Sequence, residues 1–160
     1  QSISEMFPQF RELLSTGQVG IRGLNKSTPL VTDCQYVVHD PLPDRETTRT
    51  PHLDNPIEIY AGLLYMRLPK DKSTGGNFIV HGRKKPLKEL DFAAGRQVDD
   101  KILYPTLEVP YMRNSYGMIL NTLDSIHSVS PRKSASDDRI SINIIGEFSG
   151  DQRMWDETSI

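Results

Sequence analysis

Short β-prone runs, set apart by eleven prolines and eleven glycines, constrain this 160-residue chain more than any other feature. Proline cannot donate to a sheet ladder and glycine relieves backbone strain at turns, so the two together punctuate short strands. The runs bounded in this way are Cys34–His39, Ile57–Leu68, Asn77–His81, Leu107–Met112, Met118–Asn121 and Arg139–Phe148. Turn clusters lie between them, such as Lys72-Ser73-Thr74-Gly75-Gly76 and Arg113-Asn114-Ser115. Helical spacing occurs in two places only. From Ser4 to Ser15, Met6, Phe7, Phe10, Leu13 and Leu14 recur with Gly17 as a stop, and Leu87–Ala94 is a shorter candidate. The pattern predicts a mainly β fold, a sandwich or jelly roll with an N-terminal helix, rather than a doubly wound α/β fold.

The length suits a single domain able to bury its apolar surface without staples. Nineteen basic residues against 21 acidic ones leave a net charge of −2, so no cationic face points to a nucleic-acid partner. No apolar run reaches the roughly 18–20 residues needed to span a membrane. The chain starts at Gln1 without methionine, signal peptide or transit-like segment, as a trimmed N-terminus would. Its single cysteine, Cys34, forms no internal disulfide, favours a reducing cytoplasm and reads as a small core residue.

Chemistry concentrates at His52-Leu53-Asp54. In an extended segment leading out of Pro51, residues two apart share a face, so His52 and Asp54 point the same way. An imidazole and a carboxylate are two thirds of the two-His-one-carboxylate set that holds non-haem Fe(II) with positions left open. His127, after another strand-like run, would complete it. His39 could line the same mouth, whereas His81 reads as a strand-end surface residue. Any one histidine is most simply a hydrogen-bonded structural residue, and the metal reading rests on the three ligands taken with Arg139.

In Arg139-Ile140-Ser141-Ile142-Asn143-Ile144, alternation puts Arg139, Ser141 and Asn143 on one face and three isoleucines on the other. The isoleucines need a core, which leaves the polar face to water or to a polar cavity. A planar guanidinium with a hydroxyl two residues on is a good receptor for a carboxylate. Arg132, in the loop Ser130-Pro131-Arg132-Lys133, is an alternative anchor. Asn121 and His39 are candidates for touching the substrate or the metal ligands, with a structural role as the plainer reading. Trp155 reads as a cap on the N-terminal helix.

His52-x-Asp54, a distal His127 and Arg139-x-Ser141 together resemble the Fe(II)/2-oxoglutarate-dependent oxygenases, which are built on a double-stranded β-helix, a distorted jelly roll. The likeness covers about Cys34 to Gly150. The string His52-Leu53-Asp54-Asn55-Pro56, then Tyr65-Met66-Arg67, then Gly75-Gly76, looks most like the prolyl-hydroxylase-like branch with its small microbial and phage members. The resemblance implies one oxygenase domain over 1–160, with an N-terminal helix in 1–18 and the double-stranded β-helix in 29–150. It implies Fe(II) held by His52, Asp54 and His127, and 2-oxoglutarate as cosubstrate with its far carboxylate on Arg139, Ser141 and Tyr65. The implied reaction is O₂-dependent hydroxylation of an unactivated C–H bond of a small molecule, with release of succinate and CO₂. Asp54 fills the position a halide takes in halogenating relatives, which argues against halogenation. Hydroxylation of a protein side chain, as in prolyl hydroxylases, is the second enzyme reading, and a non-catalytic β-sandwich binding module is the rival from another class. Nucleic-acid demethylation is disfavoured because Ile144-Ile145-Gly146-Glu147 supplies no second arginine. A cupin-type dioxygenase would bring more histidines. Segments 40–50 and 82–106 are the candidate lid and specificity elements.

Overall fold

The computed structural model describes residues 3–15, 17–24, 27–88, 92–93 and 96–156, and the fold is mainly β. The predicted N-terminal helix is broken. α1 (Ile3–Met6) and α2 (Arg11–Ser15) flank a 3₁₀ turn at Pro8–Phe10. Pro8 disfavours the helical conformation for the residue before it, and Phe7 accordingly sits at φ −126°, ψ 72°. Gly17 follows with φ +64°, in keeping with its reading as a stop.

Twelve strands occur among the described residues. They are β1 (Val19–Ile21), β2 (Leu30–His39), β3 (Glu58–Tyr65), β4 (Thr74–Gly75), β5 (Phe78–Arg83) and β6 (Phe92–Ala93), then β7 (Gln97–Val98), β8 (Leu103–Val109), β9 (Tyr116–Leu120), β10 (His127–Val129), β11 (Arg132–Lys133) and β12 (Arg139–Phe148). One sheet runs β1-β2-β12-β3-β9 and a second runs β10-β5-β8, with β11-β4 and β6-β7 as small pairs. β12 organises the larger sheet. It pairs antiparallel with β2 without a break, from Arg139↔His39 to Phe148↔Leu30, and on its other side with β3. Pro105 sits in β8, where an edge strand tolerates the missing donor.

Three expectations are corrected here. The helix at Leu87–Ala94 does not form: Phe92–Ala93 pairs with Gln97–Val98 instead, and the remaining part of that stretch, 89–91 and 94, lies outside the described residues. Local propensity is a weak prior, and strand pairing around Arg96, at φ +60°, overrides it. The segment 82–106 is likewise no single loop, since it holds β6, β7, a 3₁₀ turn at Asp100–Ile102 and the start of β8.

The third correction concerns the isoleucines of β12. Alternation holds, but it is the polar face of the strand that turns inward: Arg139 and Ser141 are buried, and Ile140, Ile142 and Ile144 are only half-buried. The register sets Ile142 beside Tyr36 and Leu64, and Tyr36 and Met118 on the same outer face are 64% and 52% exposed. Cys34 lies on that face too and is exposed rather than a core residue.

The main core gathers Leu53, Ile59, Leu103, Ile126 and Phe148 with Trp155, against which Phe7, Phe10 and Leu13 pack. A smaller cluster of Tyr65, Phe78 and Tyr111 lies elsewhere in the fold. No helix among the described residues is long and apolar enough to cross a membrane.

Candidate metal centre

Two distant stretches of backbone meet in one antiparallel pair. His52 N donates to His127 O at 3.0 Å, and His127 N donates to His52 O at 3.1 Å. Opposed residues of such a pair project to the same face, and the two imidazole centroids are 4.3 Å apart. Leu53, between His52 and Asp54, turns the other way and is fully buried in the main core. Leu53 N also donates to Arg96 O, and Val98 N donates to Pro51 O, which ties the segment to β7.

A backbone carbonyl orients each ring. His52 Nδ1 lies 2.8 Å from Thr50 O, and His127 Nδ1 lies 2.9 Å from Ser125 O. A carbonyl can only accept, so Nδ1 carries the proton and each Nε2 keeps its lone pair. Both Nε2 atoms converge on Asp54, at 3.4 Å from Oδ1 and 3.5 Å from Oδ2. One ligand atom from each of the three residues falls within 4.8 Å of the others. Ligands around one cation at about 2.1 Å stand roughly 3 Å apart when adjacent, so the two separations from Asp54 need only a small contraction.

The electrostatics suit a cation. Burial lowers the His127 pKa, with the Asp54 charge opposing it, which keeps the ring neutral and able to ligate. Burial alone would raise Asp54, but the hydrogen bond and charge that His52 and His127 supply when protonated, with the charge of Arg49, outweigh it and hold the carboxyl below its usual range; a bound cation would take the place of those protons. Asp54 Oδ2 is buried and has no hydrogen-bond partner. An unmatched buried carboxylate oxygen facing the His127 lone pair is costly, and a metal ion would satisfy both while taking the His52 Nε2 lone pair that Arg49 Nε reaches at 2.9 Å.

The set opens into a cavity of about 340 Å³ whose walls include His39, Thr48, Arg49, Glu58, Phe78, Val129, Arg139 and Asn143. Arg139 is 2% exposed, and its guanidinium donates to Tyr65 Oη at 3.0 Å and to Gly76 O at 3.4 Å. It also stacks over the Tyr65 ring at 4.9 Å. The turn that presents Gly76 O requires glycine: Gly75 and Gly76 sit at φ +80° and +75°, and a Cβ on Gly75 would lie 2.0 Å from Pro131 O. Tyr65 stands opposite Ser141 in the register, so the residues predicted to form a carboxylate receptor do adjoin. Ser141 Oγ, however, donates to Asn143 Oδ1 at 3.0 Å.

Other candidates separate. His39 lines the cavity, its pKa lowered by burial and by the neighbouring Arg139. Arg132 is corrected: it is not a loop anchor free to receive a ligand but a buried residue of β11. Its guanidinium donates to Asp71 Oδ2 at 3.0 Å, to Ser73 Oγ at 3.1 Å and to Asp137 O, so its fork is already taken. Asn121 is structural, bracing the site from outside. Its amide donates to Asn55 O and Glu58 O, and it accepts from Trp155 Nε1 at 3.1 Å. Trp155 is therefore a buried core member held by Asn121 rather than simply a cap. His81 is partly buried and bonds Ser128 Oγ at 2.8 Å, so it is no surface residue.

Sequence reasoning missed Glu58, Phe78 and Val129 as wall residues, and within segment 40–50 it singled out neither Thr48 nor Arg49. Segment 40–50 does reach the cavity, through Thr48 and Arg49, while the described residues of 82–106 contribute none of its lining.

Burial, with Asp54 adding to it, pushes Glu58 up to about 7 from 4.5. A carboxyl raised on folding stabilises fully below 4.5 and loses that contribution as pH climbs through about 7. Glu58→Gln is therefore expected to raise the melting temperature of the metal-free protein by a few degrees at about pH 8, and to leave it unchanged at about pH 4. Thermal melts at the two pH values check this.

A comparison of the chain with known protein families and with curated proteins gave no match.

Proposed function

We propose that this protein is an Fe(II)- and 2-oxoglutarate-dependent oxygenase, of the prolyl-hydroxylase-like kind, that hydroxylates a small molecule. The observation that carries the reading is one cavity holding both parts of the machinery: two oriented Nε2 atoms, one facing each oxygen of Asp54, whose Oδ2 has no hydrogen-bond partner, and a buried arginine in the same wall. Antiparallel β2, β12, β3 and β9, with the paired histidines joined to the β10-β5-β8 sheet, support reading the fold as a double-stranded β-helix.

His52, Asp54 and His127 would hold the iron. Fe(II) with oxoglutarate supplies the oxidising chemistry, in which O₂ is consumed, oxoglutarate leaves as succinate and CO₂, and a C–H bond becomes C–OH. The rest falls to the protein. Thr50 and Ser125 carbonyls fix the ring tautomers, so neither imidazole needs to reorganise. Arg139 offers a fork whose orientation is set by Tyr65 and Gly76, and the Tyr65 hydroxyl sits beside it as a further donor. Phe78 and Val129 make part of the wall apolar, which limits water near the metal. A volume of about 340 Å³ is within the range of small-molecule pockets. The absence of Arg132 from this wall leaves Arg139 as the buried cation available to a dicarboxylate.

The test is succinate release from oxoglutarate in air, run across a panel of candidate substrates. Iron-dependent succinate, stimulated by one class of compound, is expected. Succinate no higher than in a chelator-treated control, throughout the panel, would overturn the reading.

A further inference from the structure

A second arginine faces the metal ligands from the open side. The chain at 47–49 is strapped to β10: Val129 N donates to Arg49 O at 3.0 Å, and the Thr47 hydroxyl bonds both Val129 O and Arg49 O. The Arg49 backbone is thus fixed at the rim of the cavity, with its side chain solvent-exposed and lining the space beside Thr48 and His39. Its Nε donates to His52 Nε2 at 2.9 Å. That nitrogen is the one a metal would take, because Nδ1 of the same ring is committed to Thr50 O. With a metal in place the lone pair is used, and the guanidinium loses its acceptor while its backbone stays where it is.

Charge gives the direction. A divalent cation, the Asp54 carboxylate, the doubly charged oxoglutarate and Arg139 sum to zero. Arg49 is then a surplus positive charge facing the open side of the centre. The other acid in the wall, Glu58, lies on β3 and faces the charges of Asp54, Arg22, Glu147 and Arg96 rather than that of Arg49.

We propose that Arg49 is a specificity residue that receives an oxyanion of the substrate, a carboxylate or a phosphate monoester, beside the carbon to be oxidised. This rests on the metal and oxoglutarate reading of the same cavity. A guanidinium presents two parallel donors matched to either anion, and at the rim it can engage a ligand after oxoglutarate has bound. Thr48, next to it in sequence, also lines the cavity. The substrate class that follows is a small organic acid or phosphorylated metabolite rather than a neutral compound.

The test uses Mn(II)-loaded, oxoglutarate-saturated protein with two probes, ¹³C-acetate and methyl phosphate, followed by paramagnetic relaxation of the probe nuclei. Mn(II) retention is read separately by electron paramagnetic resonance. In the unmodified protein one of the two probes is expected to relax with saturable binding, which says whether the anion is a carboxylate or a phosphate. Arg49→Gln should weaken that binding at least tenfold with Mn(II) retained, and Arg49→Lys should restore part of it. The side chain is exposed and the backbone contacts are untouched, so the variant is expected to fold. Equal relaxation in Arg49→Gln, or no saturable relaxation with either probe despite bound Mn(II), overturns the role of Arg49 and leaves the oxygenase reading standing. Failure of the unmodified protein to hold Mn(II) at all removes both.

Discussion

His127→Ala is expected to weaken Fe(II) binding by at least 100-fold. Losing a partner that merely orients a metal ligand typically costs 10–100-fold, and here a ligand itself is removed. The remaining pair, His52 and Asp54, comes from one short stretch and lacks the opposing imidazole that the His52–His127 backbone pair brings to it. The fold should tolerate the change. The ring lies 5.3 Å from Phe78 and borders an existing cavity, so truncation enlarges that space rather than creating a sealed void. The cost to stability is expected to be about 1–3 kcal/mol, at the low end of large-to-small core substitutions. Anaerobic metal titration measures the loss, and circular dichroism confirms the retained fold. A variant that is folded and binds Fe(II) as tightly as the parent would remove His127 from the ligand set.

Arg139→Ala should separate the cosubstrate from the metal. Truncation removes a charge-assisted contact to a partly enclosed carboxylate, worth about 1.5–3 kcal/mol, which is roughly a 10- to 150-fold rise in the oxoglutarate dissociation constant. Iron affinity should change little, because no hydrogen bond links Arg139 to His52, Asp54 or His127 among the described residues. The variant also strips the Tyr65 hydroxyl and the Gly76 carbonyl of a donor, so some loss of stability accompanies it. Arg139→Lys is the cleaner companion: it keeps the charge, loses the fork, and should fall between parent and alanine. Unchanged oxoglutarate affinity in both variants, with iron still bound, would mean that the carboxylate sits elsewhere.

The parts of the site that could be read from the sequence were those governed by strand alternation. Two residues apart means one face, and that rule placed His52 with Asp54 and Arg139 with Ser141 before any tertiary contact was known. The same rule misled where it was joined to the assumption that apolar means buried. Ile140, Ile142 and Ile144 lie on the outer face of the large sheet, because the cavity takes the polar face of β12. Arg132 was misjudged for another reason: its partners Asp71 and Ser73 are distant in sequence, and nothing local announces a buried ion pair. Pro8 was a visible warning that the first helix would break. Arg49 carried no periodic signal at all, since its position follows from hydrogen bonds between an irregular segment and β10.

Anaerobic addition of Fe(II) and then 2-oxoglutarate, followed in the visible spectrum, bears most directly on whether the two imidazoles and the carboxylate form one centre. A weak charge-transfer absorption should appear only when both components are present, and should vanish in His52→Ala, Asp54→Ala and His127→Ala alike. No absorption in the parent protein, or an absorption that survives all three substitutions, would contradict the account.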